Sequence, residues 1–379
     1  MHVFLIINLE SAVTIDNNFE VKHLDSKTIA RESAQSLLEV CQNSVLSAIE
    51  NDDTLLARDA VEMVSECVSE SVALEMEKAN EEVSFQASLR TEMAGHFENA
   101  TCADFDLPST KPIDTSIWRD KGVSRKVDIL LERDASKVHV IKQFISEEEC
   151  NAMEESAKSS LHRATVADGK GGSELSPNRK AMQAGITIPW HEEEDENPLT
   201  TVSRKVYNYV NHVLDLNIEE HGQEDLMSIQ YFGRGENDTA PDRYTPHCDG
   251  DCNGLSHKEG QRVATIVMYC NIPEKGGATN FRNSGLHVVP ERFSATFFSY
   301  IDPITLIMDR AFTEHSGCPV IEGEKKIVTQ WVRYGVDKEN PWDSFNTRKF
   351  ICNNFEFIFV KLLTLHSSSS SGYQKKRSR

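Results

Sequence analysis

The segment Tyr244-Thr245-Pro246-His247-Cys248-Asp249 places a histidine and an aspartate two residues apart. In an extended segment, the side chains at positions i and i+2 point to the same side, so both can reach one metal ion. Two imidazoles and one carboxylate on one face of an octahedron leave three positions for other ligands. His23-Leu24-Asp25 has the same spacing, but it begins a helical, acidic region where we expect surface exposure. The spacing alone therefore does not select a site.

A second histidine and a lysine later in the chain suit the same site. His315 follows His247 after an interval long enough for several strands, and Lys325 follows His315. A metal site that also binds a dicarboxylate needs a cation for the distant carboxylate. If residues 326–334 form a strand, Lys325 shares one face of it with Ile327, Thr329 and Trp331. This pattern predicts a charged anchor in a mainly apolar wall, next to a facial triad of the kind found in non-haem Fe(II) oxygenases.

Short β-rich segments surround these residues. Pro, Gly and Asn separate them, which is typical of a β-sandwich or jelly roll. We predict strands at residues 138–141, 227–232, 262–270, 286–289, 295–300 and 326–334. A helix is expected after Ser146, where Glu149 completes a capping box, and another over residues 202–214. The Gly-rich stretch 168–178 is predicted to be a loop.

Five ordered motifs resemble the catalytic domain of the prolyl 4-hydroxylase alpha-subunit family, whose members are Fe(II)/2-oxoglutarate dioxygenases on a double-stranded β-helix. The motifs are Phe144-Ile145-Ser146-Glu147-Glu148-Glu149-Cys150, Tyr244-Thr245-Pro246-His247-Cys248-Asp249, Arg262-Val263-Ala264-Thr265, Gly276-Gly277-Ala278-Thr279-Asn280-Phe281 and His315-Ser316-Gly317-Cys318-Pro319-Val320. They extend over about residues 136–336, and together they are far more specific than any one of them. The N-terminal region lacks the tetratricopeptide pattern expected of the collagen enzymes' substrate-binding domain.

The resemblance implies a metal site and a co-substrate site. His247, Asp249 and His315 would bind Fe(II), and Lys325 would bind the distal carboxylate of 2-oxoglutarate. The aromatic residue that commonly follows this lysine is Lys326 here. Either lysine is therefore a candidate for the anchor.

Three further residues correspond to family positions around 2-oxoglutarate. Thr265 and Trp331 match positions that line the co-substrate pocket. Tyr231 matches a tyrosine that precedes the metal motif, with Phe232 as an alternative register.

Two residues depart from the family pattern. Phe293 stands where the family often has a glycine in a turn, and Asp251 offers a second carboxylate close to Asp249. Neither removes the triad. His257 and His287 are expected not to be ligands.

The resemblance implies a dioxygenase that hydroxylates a protein side chain, with 4-hydroxylation of peptidyl proline as the expected reaction. It would consume 2-oxoglutarate and O2 and release succinate and CO2, and ascorbate is expected to rescue oxidised iron. Two alternatives stay open: a dioxygenase acting on a non-proline substrate, and a non-catalytic peptide-binding module on the same fold. The loops 168–178 and 250–260 are expected to shape a substrate groove.

Composition limits the other classes of function. The chain has 379 residues, with 40 Lys and Arg against 60 Asp and Glu, so its formal net charge is -20. A pI near 5.1 argues against a general nucleic-acid binder, because phosphate contacts need a basic surface. We expect no membrane span, because no apolar run approaches roughly 20 residues; the longest candidate, 355–365, contains Lys361.

The chain is predicted to have an α+β organisation in four parts. Residues 1–100 form a helical region, 101–135 a linker, 136–345 the dioxygenase domain and 346–379 a partly disordered tail. In the first part, two amphipathic stripes are separated by Asn51-Asp52-Asp53-Thr54, which predicts two antiparallel helices. These helices either pack on their own chain or support self-association.

Compartment and cysteine pairing stay open. The first residues are apolar but lack a basic segment, so they make a weak signal peptide. The family resemblance implies the endoplasmic reticulum, while a cytoplasmic location is the alternative. The chain has nine cysteines, an odd number, so at least one thiol is free. Cys318 either pairs with Cys352 or, as we favour, is a buried free thiol.

Overall fold

Two antiparallel β-sheets dominate the C-terminal part of the chain in this computed structural model. The structure describes residues 12–15, 21–24, 26–51, 57–97, 101–167, 173–190 and 197–345. Contacts divide the chain into two units, Met1–Thr91 and Glu92–Arg379. Among the described helices, none combines the length and the apolar composition needed to cross a membrane.

The elements follow one another along the chain in a simple order. The first unit contains β1 (Ala12–Ile15), β2 (Val21–Leu24), α1 (Ser26–Asn51) and most of α2 (Ala57–His96). The second continues with β3 (Asp114–Asp120), β4 (Val123–Glu132), β5 (Lys137–Ile141), α3 (Glu147–Lys158), β6 (His162–Arg163), β7 (Thr165–Ala167), β8 (Ser173–Leu175), β9 (Arg179–Lys180), β10 (Met182–Ile186) and α4 (Pro198–Leu214). It ends with β11 (Leu226–Phe232), β12 (Asp242–His247), β13 (Arg262–Asn271), β14 (Lys275–Gly276), β15 (Thr279–Phe281), β16 (Leu286–Val288), β17 (Ala295–Ser299), β18 (His315–Glu322) and β19 (Glu324–Arg333).

The first unit contains the two predicted helices. A disulfide joins Cys41 of α1 to Cys67 of α2. The number of residues from Cys41 to the end of α1 equals the number from the start of α2 to Cys67. This placement makes the two helices antiparallel neighbours. Asp52, Asp53 and Thr54 of the predicted break lie outside the described residues, and self-association through these helices stays a prediction.

The larger sheet forms the framework of the second unit. Its strands lie in the order β3-β4-β5-β17-β13-β19-β11-β10-β6. The interior residues of β13 are all buried, because both faces of this central strand are covered. Helices α3 and α4 pack on the sheet through apolar side chains, among them Met153, Val202 and Val206. The predicted capping box is present at the start of α3, where Ser146 and Glu149 exchange hydrogen bonds.

The smaller sheet contains β12, which includes Tyr244 to His247 of the metal motif. Its strands lie in the order β16-β15-β18-β12-β9, and β14 also pairs with β18. A cavity between the two sheets is lined by side chains from β11, β13 and β19 of the larger sheet and from β12, β15 and β18 of the smaller one. The two sheets therefore form the opposite walls of one site.

The structure corrects the predicted linker and one predicted loop. Residues 101–135 contain β3 and β4, which extend the larger sheet beyond β5. Most residues of β3 are exposed and only Trp118 is buried. Because an exposed edge strand needs few apolar residues, the sequence of β3 resembles that of a linker. In the predicted loop 168–178, Ser173–Leu175 instead pairs with Thr165–Ala167, and residues 168–172 lie outside the described part, as does the predicted tail.

The cysteine prediction was wrong for Cys318. Its sulfur is bonded to Cys102, which ties the segment before β3 to β18. Two further disulfides in this unit join Cys150 to Cys270 and Cys248 to Cys252. Cys352 lies outside the described residues.

Candidate metal centre

The pairing of two strands brings the predicted metal-binding residues together. His247 ends β12 and His315 begins β18, and the antiparallel register places them directly opposite each other. Asp249 follows β12, with Oδ1 at 3.4 Å from Nε2 of His247 and Oδ2 at 3.8 Å from Nε2 of His315. Among the described residues these three form a group that could hold a metal ion, with one ligand atom of each within 4.8 Å of the others.

The backbone orients both imidazoles. Nδ1 of His247 lies 2.9 Å from the carbonyl oxygen of Thr245, and Nδ1 of His315 lies 3.1 Å from that of Thr313. Since a carbonyl oxygen only accepts, each Nδ1 carries the proton and donates it. In the neutral imidazole, Nε2 then presents its lone pair to the centre, which is the form that metal binding requires.

The carboxylate of Asp249 is held by its neighbours. The hydroxyl of Thr265 donates to Oδ2 at 2.8 Å, and Arg262 donates to the backbone carbonyl of Asp249 at 3.2 Å. Burial alone would raise the pKa of Asp249, but His315, His247 and Arg262 lower it well below its usual range. The residue is therefore a buried carboxylate in its charged form, suited to a divalent cation.

Lys325 is the buried cation on the same cavity wall. Its side chain is 2% exposed, and Nζ donates to the carbonyl oxygen of Gly277 at 2.7 Å. The ring centroids of Tyr231 and Tyr269 each lie 5.7 Å from Nζ. Burial lowers the pKa of Lys325 to about 7. An anion entering the cavity would meet an ammonium group that lacks a carboxylate partner among the described residues.

Lys326 points away from the cavity. Its Nζ lies 3.0 Å from Glu154 and 3.4 Å from Glu324. Successive side chains of β19 alternate between the two faces of the sheet, so only one of the two lysines can face the site. The structure places Lys325 there, together with Ile327, Thr329 and Trp331, as the alternation in the sequence predicted.

The remaining predicted co-substrate residues lie in two different environments. Tyr231 lines the cavity, and burial raises its pKa to about 12; the alternative, Phe232, does not line it. Trp331 also lines the cavity, beneath the guanidinium of Arg262 at 4.1 Å from the ring centroid. Thr265 differs from the expectation, because its fully buried hydroxyl contacts Asp249 instead of lining the cavity.

Sequence reasoning missed three polar residues that line the cavity. The ring of Tyr244 stacks on the imidazole of His247, with centroids 3.6 Å apart, and the guanidinium of Arg179 lies 4.9 Å from the Tyr244 ring. The buried side chain of Thr279 is the third. Tyr244 and Thr279 lie inside quoted motifs and could have been proposed. Arg179 is the first residue of β9 and carries no signal in the sequence, because only the pairing of β9 with β12 brings it here.

The two departures from the family pattern leave this geometry intact. Asp251 accepts a hydrogen bond from Gln261 at 2.8 Å and lies outside the metal group. Phe293 has a φ of 69°, so a bulky residue occupies the left-handed conformation that favours glycine. His257 contacts the carbonyl of Gln261, and His287 lies in β16, both apart from the centre.

Two imidazoles and a buried carboxylate beside a cavity with a buried lysine are the donor set of the facial-triad class, and this group could hold one metal ion. Residues 233–333 match the family model of the 2OG-Fe(II) oxygenase superfamily, and this range contains all three members of the metal group and Lys325. The matched segment is therefore similar to members of the 2OG-Fe(II) oxygenase superfamily.

Several curated proteins are similar to a part of this chain. A probable prolyl 4-hydroxylase 3 from Arabidopsis thaliana is 26% identical over 263 residues, which are 61% of this chain and 85% of the relative. Prolyl 4-hydroxylase subunit alpha-3 from Homo sapiens is 28% identical over 234 residues, which are 58% of this chain and 37% of the relative. The similarity thus covers little more than a third of that human subunit.

Solved structures are similar to part of the chain as well, and one of them is bound to 2OG. It is a viral collagen prolyl hydroxylase from Paramecium Bursaria Chlorella virus-1 in complex with 2OG. The two proteins are 26% identical, and the match covers 52% of this chain and 96% of the viral protein with a TM-score of 0.40.

Proposed function

We propose that this chain is an Fe(II)- and 2-oxoglutarate-dependent dioxygenase that 4-hydroxylates proline in a protein or peptide. The observation that carries the proposal is the meeting of His247, Asp249 and His315 on one wall of a cavity that also contains the buried ammonium of Lys325. We further infer that the two facing antiparallel sheets are the halves of a jelly roll, the double-stranded β-helix, with the site between them.

The donor set fits Fe(II). Two neutral imidazole nitrogens and one carboxylate oxygen match the facial triad of non-haem iron oxygenases. When bound, Fe(II) would supply the oxidising chemistry by which O2 and 2-oxoglutarate give a hydroxylated product, succinate and CO2. Thr265 would hold Asp249 in place, since its hydroxyl already donates to Oδ2 of that carboxylate.

The same cavity suits 2-oxoglutarate. The Lys325 ammonium would pair with the distal carboxylate, and the hydroxyls of Tyr231 and Thr279 are among the other donors on the cavity wall. A charge-assisted contact is stronger in a buried cavity than in water, because the surroundings screen it less. The apolar side chains of Ile229 and Ile327 would exclude water from the carbon chain of the co-substrate.

We also propose ascorbate as the reductant and an oxidising compartment as the location. The four disulfides among the described residues support the compartment, because structural disulfides are rare in the cytosol. The peptidyl proline substrate is supported by the names of the relatives, which are prolyl 4-hydroxylases.

The test is an anaerobic titration of the purified protein with Fe(II) and 2-oxoglutarate, followed by the visible metal-to-ligand charge-transfer band. We expect a band that is lost in His315→Ala and Asp249→Asn and weakened in Lys325→Ala. Asp251→Asn and Lys326→Ala are matched controls, because they change a carboxylate and a lysine that lie outside the site, and they should retain the band. Absence of the band in folded wild-type protein would refute the dioxygenase function and favour a peptide-binding module.

A second assay addresses the substrate. The active protein is incubated with proline-rich peptides, and the release of succinate and a mass gain of one oxygen atom are measured. Hydroxylation in a peptide that contains proline, and none when alanine replaces it, would support the prolyl activity. Co-substrate turnover without any modified proline would point to a non-proline substrate.

A further inference from the structure

The two histidines of the metal group donate their orienting hydrogen bonds to carbonyl groups in different kinds of backbone. The carbonyl that orients His247 belongs to Thr245 within β12, whose amide bonds the carbonyl oxygen of Asn178 at 2.9 Å. The carbonyl that orients His315 belongs to Thr313, which lies in the turn before β18 begins. Strand pairing therefore supports the first imidazole, whereas the second depends on whatever fixes the turn.

A buried carboxylate fixes that turn. Asp309 is 0% exposed. Its Oδ2 accepts from the amide of Thr313 at 2.8 Å and from the hydroxyl of the same residue at 2.6 Å. Its Oδ1 accepts from the amide of Phe312 at 3.1 Å and from the hydroxyl of Ser136 at 2.6 Å. Four donors from two parts of the chain thus converge on one side chain.

The backbone of Asp309 is fixed as well. Its amide donates at 2.9 Å to the carbonyl of Tyr300, which directly follows β17 of the larger sheet. Its carbonyl accepts from the amide of Gly254 at 3.0 Å. The carboxylate is therefore anchored to the larger sheet, to the loop after the metal motif and to the segment before β5. Ala311 within the turn has a φ of 70°, a conformation that a non-glycine residue holds only when its surroundings impose it.

The burial of this side chain is offset by its hydrogen bonds. Burying a carboxylate is costly unless it accepts several hydrogen bonds, and bonds to an ionised acceptor are shorter and stronger than those to a neutral one. Asp309 forms no ion pair among the described residues, so its bonds to the turn and to Ser136 are what offsets its desolvation. The result is a rigid position for the Thr313 carbonyl, and outer partners of this kind hold metal-binding histidines in one tautomer and one ring orientation.

We propose that Asp309 is a positioning residue for the metal ligand His315, acting through the carbonyl of Thr313. The inference rests on the proposed function, because it takes His315 as an iron ligand. Asp309 itself does not touch the metal or the co-substrate. Its carboxylate fixes the turn at Phe312 and Thr313 through hydrogen bonds. The turn in turn positions the Thr313 carbonyl, which accepts from Nδ1–H of His315, so that Nε2 of His315 faces the centre.

The first test uses the metal-free protein. Nitrogen-detected or proton–nitrogen correlation spectra of the imidazole rings report which nitrogen carries the proton, and a His315→Gln variant assigns the signal. We expect a single Nδ1–H tautomer for His315 in the wild type and a mixture of tautomers in Asp309→Asn. Asp128→Asn is the matched control, because Asp128 is a buried carboxylate paired with Lys126 at 2.7 Å and lies on β4. An unchanged tautomer in Asp309→Asn would overturn the proposal.

The second test measures Fe(II) affinity in the same variants. Loss of an outer partner typically costs 10- to 100-fold in metal affinity, so we expect about a tenfold loss in Asp309→Asn and less than a twofold change in Asp128→Asn. If Asp309→Asn does not fold, Thr313→Val is the alternative test, because it removes the hydroxyl donor to Asp309 and keeps the backbone amide. We expect a several-fold loss of Fe(II) affinity in this variant. Equal affinity in Thr313→Val and wild type would then refute the proposal.

The two proposals fail in different ways. If wild-type protein binds no Fe(II), the dioxygenase function fails, yet the tautomer comparison still decides whether Asp309 orients His315. If wild-type protein binds Fe(II) and both variants match it, only the positioning role fails.

Discussion

Replacing Lys325 by methionine should stabilise the protein while removing co-substrate binding. Burial lowers the pKa of Lys325 from its ordinary value of 10.5 to about 7. Because the native pKa lies below the unfolded pKa, the native state binds fewer protons between these values, and stability rises with pH across that window. A methionine of similar length carries no such penalty in a cavity wall formed by Ile327 and Thr329.

The size of the effect follows from the shift. One pKa unit corresponds to about 1.4 kcal/mol, so the lysine costs about 5 kcal/mol at pH 6 and about 2 kcal/mol at pH 9. Lys325→Met should therefore raise the free energy of unfolding by several kcal/mol at pH 6, and by about 3 kcal/mol less at pH 9. Affinity for 2-oxoglutarate should fall at least 100-fold, since a desolvated charge pair is lost.

Urea denaturation of the metal-free protein under non-reducing conditions measures the first quantity. Tryptophan fluorescence is the appropriate signal, because all four tryptophans lie after residue 91 and report on the second unit. Lys326→Met is the control; it loses only partly exposed ion pairs, which contribute about 0–1 kcal/mol, with no gain at low pH. A Lys325→Met variant that is no more stable than the wild type, or whose gain is equal at pH 6 and pH 9, would refute a buried lysine with a lowered pKa.

Three further outcomes follow from the same structure. Binding of 2-oxoglutarate should raise the pKa of Lys325, so affinity falls roughly tenfold per pH unit above about 7; calorimetry in two buffers of different ionisation heat should show proton uptake at pH 8 and little at pH 6. Glu149→Ala leaves Lys205 without the carboxylate that lies 2.7 Å from its Nζ, and we expect a loss of about 3–5 kcal/mol in urea denaturation. Replacing both Cys150 and Cys270 by alanine opens a loop of 120 residues and should cost roughly 3–5 kcal/mol in the same assay.

Residue type and spacing, together with the order of the five motifs, carried the prediction of the metal group. A histidine and an aspartate two positions apart on an extended segment point to the same side of it. Because side chains alternate along a strand, the sequence also predicts that Lys325 and Lys326 face opposite sides, and the structure places Lys325 at the cavity. The helices were also predictable from apolar residues that recur on one face, and the central strands from short β-rich runs separated by Pro, Gly and Asn.

Other features depend on long-range pairing that no local pattern reports. The edge strand Asp114–Asp120 exposes most of its side chains, so its composition does not distinguish it from a linker. Arg179 reaches the cavity only through the pairing of β9 with β12. Cysteine connectivity cannot be deduced from spacing, which is why the partner of Cys318 was missed.

The disulfide between Cys102 and Cys318 also sets the order in which the domain can be completed. The two cysteines are 216 residues apart, so at about 5–20 residues per second Cys318 is synthesised some 10–40 seconds after Cys102. His315 is made just before Cys318 in the same strand. During translation, this disulfide can therefore form only at about the time when His315, the last residue of the metal group, has been synthesised. Until then, Cys102 cannot form its native disulfide.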